Sequence, residues 1–405
     1  MDFPYQFSMC RHKRLHLGVC GSVAAYKALD LVRMWRRMGM FVGVTLTDAA
    51  QRFIAPLSFE ALDAHPVYGK LFAGHEALYG HLEPGQTSDV FVVAPATANT
   101  LAKLAQGVAD AMLPCQALSF PGPFVLAPAM NPKLWSAQAT QANVSCLQKR
   151  GTVLVPPDTG LVACGEQGTG KLADPLAITA FVLNALTSQD LAGLDILITL
   201  GPTREFWDPV RFWSNPSTGR MGGAIATAAW LRGARVHVVK GPCDAWLPPD
   251  VEVHEVVSAQ EMYDRCLSLW PTMDMACLTA AVCDFRPDAR SEEKFKKSSV
   301  ADGMDISYVP NPDILWNLGA QKTAQQRVIG FAAETSAEIV RLAEEKLERK
   351  GADLIVANRI GQVDTGFGSA TNQVWVIDVT GKQEEWPVLD KGELAWRVWD
   401  WILGM

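Results

Sequence analysis

The strongest constraint on the fold is a unit that recurs along the chain: a short apolar run, a turn of small residues, and then a stretch with helical periodicity. "LHLGVC" (15–20) reads as a buried strand, "GS" as a tight turn, and "VAAYKALDLVRMWRRMG" (23–39) as an amphipathic helix stopped at Gly39. "FVGVTLT" (41–47) then opens a second strand. Strand, helix and strand in that order make a βαβ unit, whose strands lie parallel. "VFVVAPATANTLAKLAQG" (90–107) repeats the pattern, and "FVLAPAMN" and "VLVPP" add further buried strands. The expected architecture to about residue 185 is therefore a doubly wound parallel sheet.

The cycle restarts after a polar stretch near 186–193. "DILITLGPT" is a strand, "GRMGGAIATAAWLRGA" a helix rich in small residues, and "RVHVVKGP" the next strand; "MACLTAAV", "RVIGFAAE", "ADLIVAN" and "QVWVIDV" follow, with "SAEIVRLAEEKLERKG" as a charged surface helix. A chain of 405 residues exceeds one ordinary core, so two α/β domains are expected, 1–190 and 191–405.

Charge and composition exclude several classes of function. The net charge of −7 argues against a nucleic-acid binder, because a phosphate backbone needs a basic face. The longest uncharged stretch, 111–132, holds five prolines, which a membrane-spanning helix would hardly tolerate. The start has a basic run without the apolar region of a secretory signal. Nine cysteines, an odd number with no CxxC, fit a reducing cytoplasm, and the seven histidines show no ligand spacing with cysteines, which speaks against a zinc site.

Neither half carries the G-x-G-x-x-G fingerprint followed by an acidic residue, so a dinucleotide is disfavoured, and with it an ordinary dehydrogenase. In "GVCGSVAAYKA", Gly21 and Ser22 stand at the mouth of a helix, where exposed N–H groups and a hydroxyl suit one terminal phosphate. Alone, that stretch reads equally as a plain turn.

It does not stand alone. "GSVAAYKALDLVR", "LTDAAQRFIAPLSFEAL", "GHLEPGQTSDVFVVAPATANTLAK", "PAMNPKLW" and "GLVACGEQGTGKLADP" occur in the order seen in flavin-dependent cysteine decarboxylases, and the first half resembles phosphopantothenoylcysteine decarboxylase. From 194 onward, "ITLGPTREFWDPVRFWSNPSTGRMG", "TAAVCDFRP", "EKFKK", "NPDIL", "GFAAET" and "KLERKGADLIVAN" resemble its usual fusion partner, phosphopantothenate–cysteine ligase. The resemblance covers nearly the whole chain apart from the first dozen residues. It implies a flavodoxin-like flavoprotein half and a Rossmann-like ligase half, both doubly wound with mainly parallel sheets.

For the first half the resemblance implies FMN, which takes two electrons from the substrate's thiol carbon so that the thioaldehyde accepts the electrons freed with carbon dioxide. Gly21, Ser22 and Thr47 match the phosphate site, and Thr97 and Asn99 the cofactor's polar edge. His81 resembles the active-site histidine, a base of suitable pKa for oxidation and decarboxylation, whereas His75 lacks the matching context. Asn131 looks like the residue that holds the substrate carboxylate, and it is also a good helix N-cap before Pro132. Leu134 stands where the family often has methionine, a packing variation that roughly keeps volume. Cys164, in a run of glycines, matches the acid on a flap that closes over substrate; free thiols in general, with a pKa of about 8.5, are mostly protonated at neutral pH. Without the family it would read as an inert cysteine.

For the second half the resemblance implies a CTP-dependent ligase that forms an acyl-cytidylate from 4'-phosphopantothenate, with Mg2+ accompanying the nucleotide and no ligand nameable for the ion. Lys294, Lys296 and Lys297 form a short basic segment suited to a triphosphate, Lys294 being the catalytic match; alone, such a run reads as a solvated face. Asp284, Pro312, Asp313, Ile314, Leu315, Phe331, Lys346, Lys350 and Lys297 match the nucleotide site, and Asn215 the acyl-cytidylate step. Pro216 and Arg220 stand where relatives of this loop vary. Lys346 and Lys350 share one helix face and read equally as solubilising charges.

The expected whole is a bifunctional cytoplasmic enzyme of coenzyme A synthesis, acting on 4'-phosphopantothenate and cysteine without nucleic acid or membrane, in a homo-oligomer of trimeric decarboxylase and dimeric ligase units. The alternative is a non-catalytic FMN-binding regulatory protein. That reading predicts loss of His81, Asn131 or Cys164, and all three are present.

Overall fold

Strands buried on both faces alternate with helices that carry one apolar stripe, and this alternation dictates layered sheets. The structure, a computed structural model, describes residues 2–71, 79–296, 305–336, 338–359 and 368–405. The chain divides into two compact units, Met1–Ser188 and Gln189–Met405.

The first unit has six parallel strands, β1 (Arg14–Val19), β2 (Phe41–Leu46), β3 (Val67–Tyr68), β4 (Val90–Ala96), β5 (Phe124–Pro128) and β6 (Val153–Leu154), in the order β3-β2-β1-β4-β5-β6. Without the two-residue edge strand β3 this is the flavodoxin-like order expected, with its switch point between β1 and β4. The helices are α1 (Lys27–Arg37), α2 (Pro56–Glu60), α3 (Glu83–Thr87), α4 (Ala98–Gln106), α5 (Met112–Ser119), α6 (Pro132–Ser136), α7 (Gln138–Lys149) and α8 (Pro175–Leu186). An antiparallel hairpin, β7 (Asp158–Leu161) and β8 (Gln167–Lys171), stands apart from the sheet.

Helix α1 shows how the sequence sets the packing. Its buried residues Ala28, Leu31, Val32, Met34 and Trp35 follow helical spacing, and Gly39 ends the turn at φ +81°. The expected start at Val23 is instead a 3-10 turn over Val23–Tyr26, and the α-helix begins at Lys27. Trp35 is fully buried and its Nε1–H donates to Thr179 Oγ1 at 3.1 Å on α8, so the indole leaves no buried donor unpaired. Trp35→Ala would cost about 3–5 kcal/mol.

The second unit is an eight-stranded sheet of β9 (Asp195–Leu200), β12 (Arg235–Lys240), β13 (Glu252–Glu255), β14 (Met275–Leu278), β17 (Arg327–Glu334), β18 (Leu354–Arg359), β19 (Thr371–Asp378) and β20 (Gln383–Asp390). Their order is β13-β12-β9-β14-β17-β18-β19-β20; the first six are parallel to one another, and β19 runs antiparallel to both its neighbours, β18 and β20. The six parallel strands thus repeat the Rossmann order. Two small antiparallel pairs, β10 (Arg204–Phe206) with β11 (Phe212–Ser214) and β15 (Phe285–Pro287) with β16 (Tyr308–Pro310), extend from the carboxyl ends of the sheet. Helices α9 (Arg220–Leu231), α10 (Ala259–Leu269), α11 (Ile314–Gln321), α12 (Ile339–Lys350) and α13 (Lys391–Leu403) cover it. Gly222 lets α9 press on the sheet, since a Cβ there would lie 2.3 Å from Leu200 Cβ and from Thr279 Oγ1.

Candidate active sites

In each unit most of the candidate residues gather where parallel strands end, the usual place for a site in a doubly wound sheet. In the first unit, Gly21 and Ser22 follow β1, Thr47 follows β2, and Thr97 and Asn99 follow β4. Ser22 caps the 3-10 turn, its Oγ accepting from Ala24 N at 3.3 Å, and Thr47 Oγ1 accepts from Ala50 N at 3.1 Å. Thr97 is the N-cap of α4, and Asn99 stands exposed in its first turn. A Cβ on Gly21 would lie 2.4 Å from Ala49 Cβ, so only glycine lets the loops after β1 and β2 meet. The hydroxyls and helix starts of three adjacent strand ends fit a phosphate and a polar ring edge, as FMN requires.

His81 sits in the turn before α3, held from beneath. Ser119 Oγ–H donates to the His81 carbonyl at 3.0 Å, and Gln116 Nε2–H donates to the Gly80 carbonyl at 2.7 Å. Thr45 Oγ1 in turn donates to Gln116 Oε1 at 2.6 Å and lies 2.7 Å from His16 Nε2. Burial pushes His16 down to about 3, so this ring stays neutral. A buried polar chain through β1, β2 and α5 therefore fixes the turn that carries His81. His75 lies outside the described residues.

Asn131 and Cys164 meet. Asn131 caps α6 through Oδ1, which accepts from Lys133 N at 2.8 Å; its Nδ2–H group donates to Cys164 Sγ at 3.2 Å and to Glu166 Oε2 at 2.8 Å. Cap and polar contact coexist on one side chain. Cys164 is exposed in the loop joining β7 to β8, and the hairpin is docked by Met130 N donating to the Gly170 carbonyl at 2.8 Å. Glu166 also pairs with Lys133 at 2.6 Å; first Lys133 and then Asn131 hold its carboxyl below the usual range. A carboxylate of the protein thus occupies the Asn131 amide. Leu134, 53% exposed, carries no core load that its exchange for methionine would disturb.

The second unit holds a cavity of about 550 Å³ at the carboxyl ends of β9, β14, β17 and β18. Its walls include Asn215, Asp284, Pro312, Asp313, Ile314, Leu315, Phe331, Lys346 and Lys350. The short antiparallel pairs place two of these: Asn215 follows β11 and Asp284 precedes β15. Asn215 Nδ2–H donates to the carbonyls of Ala281 at 3.2 Å and Val282 at 3.1 Å, which aims this loop across the β14 end. Asp313 caps α11 and pairs with Lys350, while Lys346 Nζ donates to the Phe331 carbonyl at 2.8 Å. Burial first, and then Lys350, lower the Lys346 pKa. These two lysines are cavity groups rather than solubilising charges.

Lys294 is exposed and stands outside the cavity wall, although its neighbour Phe295 is tied to Asp208 and Arg211. Lys296 is also exposed, and Lys297 lies outside the described residues. Two cavity groups escaped sequence reasoning. Lys391 Nζ donates to the Ser369 carbonyl at 2.6 Å, and burial, reinforced by Arg220, pushes it down to about 8. Asn311 Nδ2–H donates to the Cys283 carbonyl at 2.8 Å and joins Arg286 to the site. Arg220, at a position where relatives vary, opens α9 and lines the cavity beside Gly219, where φ is +73°.

Comparison with known proteins divides the chain in the same region. The family described as "DNA/pantothenate metabolism flavoprotein C-terminal domain" matches residues 191–405, and the family described as "Flavoprotein" matches residues 6–187. The chain is 41% identical over 363 residues to the "Coenzyme A biosynthesis bifunctional protein CoaBC" of Escherichia coli (strain K12), covering 89% of each. It is 38% identical over 395 residues to the protein of the same name from Bacillus subtilis (strain 168), covering 96% of each. Among solved structures, "The FMN binding protein AtHal3" shares 30% identity with a TM-score of 0.38, over 42% of this chain and 95% of that one.

Proposed function

The chain belongs to the CoaBC family, bifunctional enzymes of coenzyme A biosynthesis with a decarboxylase and a ligase activity, and on that premise we propose how its two units divide the work. Residues 191–405 join cysteine to 4'-phosphopantothenate with CTP. Residues 1–190 then decarboxylate phosphopantothenoylcysteine to 4'-phosphopantetheine with FMN.

In the ligase unit the carboxylate of 4'-phosphopantothenate attacks the α-phosphorus of CTP, brought with Mg2+, and pyrophosphate leaves. The amine of cysteine displaces CMP from the resulting acyl-cytidylate. Arg220 at the start of α9 and Lys346, Lys350 and Lys391 supply positive charge to this cavity, and Lys294 enters from its exposed segment as charge builds on the departing phosphates. Asn215, fixed by two carbonyls, orients the acyl group.

In the decarboxylase unit, Gly21, Ser22, Thr47, Thr97 and Asn99 would hold FMN, which would supply a reversible two-electron acceptor for the substrate. His81 takes the proton released in oxidation. Asn131 grips the substrate carboxylate where it now grips Glu166, and Cys164 gives a proton to the enethiolate left by carbon dioxide. The observation that carries this reading is the 3.2 Å contact between the Asn131 amide and the Cys164 thiol, which sets the carboxylate holder beside the acid. It supports catalysis over a purely regulatory role. Cys164→Ser, mixed anaerobically with phosphopantothenoylcysteine, should bleach the flavin and release carbon dioxide, yet accumulate enethiol by mass; normal 4'-phosphopantetheine at near wild-type rate would overturn the proton-donor role.

A further inference from the structure

We propose that His237, Glu252 and His254 form a site for a divalent transition-metal ion of the zinc type, on the β12–β13 edge of the second sheet. His237 lies on β12 opposite Glu252 on β13, and Val239 pairs with His254, so the parallel register brings the three side chains to one patch. Glu252 presents one oxygen to each ring. Its Oε2 is 3.2 Å from His237 Nδ1, and its Oε1 is 3.2 Å from His254 Nε2. One donor atom from each of the three residues lies within 4.8 Å of the other two. Ligands about 2.0–2.1 Å from a tetrahedral zinc ion sit roughly 3.3 Å apart; each ring nitrogen is already 3.2 Å from its own Glu252 oxygen, and closing the set, now within 4.8 Å, onto one ion takes a small side-chain adjustment.

An ordinary ion pair does not account for this arrangement. His237 Nδ1 and His254 Nε2 are both shut off from water, and neither makes a hydrogen bond, despite the nearby carboxylate. Buried ring nitrogens without partners are costly unless something else satisfies their lone pairs. The other nitrogen of His237, Nε2, is 3.4 Å from Asp195 Oδ1 on β9. A proton held there leaves Nδ1 as the lone-pair atom, the carboxylate–histidine support typical of metal sites. Asp195 is itself oriented by Arg235. Two imidazoles and a carboxylate suit zinc, and the exposed side of Glu252 leaves a position for water.

The site is separate from the ligase cavity, whose walls lie at the carboxyl ends of the strands and include none of these residues. Its consequence is to tie the edge strand β13 to β12. The expectation against zinc rested on spacing between cysteines and histidines. His237 and His254 are seventeen residues apart in sequence and meet only through strand pairing.

The test uses the full chain stripped with a chelator and titrated with Zn2+ by calorimetry, and with Co2+ by visible absorption. Glu252→Gln keeps an exposed position and shape, His254→Ala removes a ring, and Cys164→Ala removes the exposed thiol as a control. Expected are one equivalent of Zn2+ and tetrahedral cobalt bands without thiolate-to-metal charge transfer in wild type and Cys164→Ala, with affinity at least tenfold weaker in Glu252→Gln and His254→Ala. Wild-type affinity in both of those variants, or no Zn2+ bound by the wild-type chain, would overturn the proposal.

Discussion

At the scale of single residues, chemistry and location were legible to different degrees. Asn131 and Cys164 could be named through the family resemblance, and they meet at 3.2 Å. Glu166 lies two residues beyond Cys164, yet no local pattern marks it, because its role depends on a hairpin that folds back onto α6. Lys391 was invisible for the same kind of reason: its burial and its neighbour Arg220 come from parts of the chain far apart in sequence. That lysine makes a clear pH prediction. With its pKa pushed down to about 8, it is charged below that pH and neutral above it, so raising the pH removes one positive charge from the cavity. We expect kcat/KM for CTP to fall as pH rises through about 8, because this quantity reports groups of the free enzyme. Lys391→Met should lower it at neutral pH and remove that limb of the profile; an unchanged alkaline limb in the variant would assign the titration to another group.

At the scale of elements, apolar runs gave the sheets because parallel strands buried on both faces cannot hide their composition. "RVIGFAAE" is β17 from end to end. "MACLTAAV" stops as a strand at Leu278, since the following residues leave the sheet to wall the cavity, a tertiary event with no sequence period. The hairpin β7–β8 is glycine-rich and lacks apolar alternation, so periodicity could not find it. Its seating on the loop before α6 depends on Gly170, where φ is +147° and a Cβ would lie 2.5 Å from the Met130 carbonyl oxygen. That oxygen is backbone and cannot swing aside. Gly170→Ala should therefore displace the hairpin, with strain of about 1–3 kcal/mol, and cut decarboxylation at least tenfold while ligation persists. Single-turnover flavin bleaching beside a pyrophosphate-release assay checks this; equal rates in variant and wild type would mean the hairpin need not dock for chemistry.

At the scale of the whole molecule, each unit has its own sheet and its own cluster at the strand ends, and the candidate residues do not mix. Asn215→Ala should reduce acyl-cytidylate formation by about 100-fold, as loss of an orienting or charge-stabilising donor commonly does, and Lys294→Ala should do likewise. Both variants should decarboxylate supplied phosphopantothenoylcysteine normally, and parallel loss of the two activities would refute independent sites. The borders of the two sheets carry a further consequence. β3 and β6 are two residues each, β13 reads "EVHE", and β20 carries Glu384, Glu385 and Pro387. Short length, charge and a missing N–H all deny a neighbouring chain a template for strand addition. Both sheets thus reach their final width by their own sequence, and the protein is protected against edge-to-edge polymerisation when it is abundant or newly made.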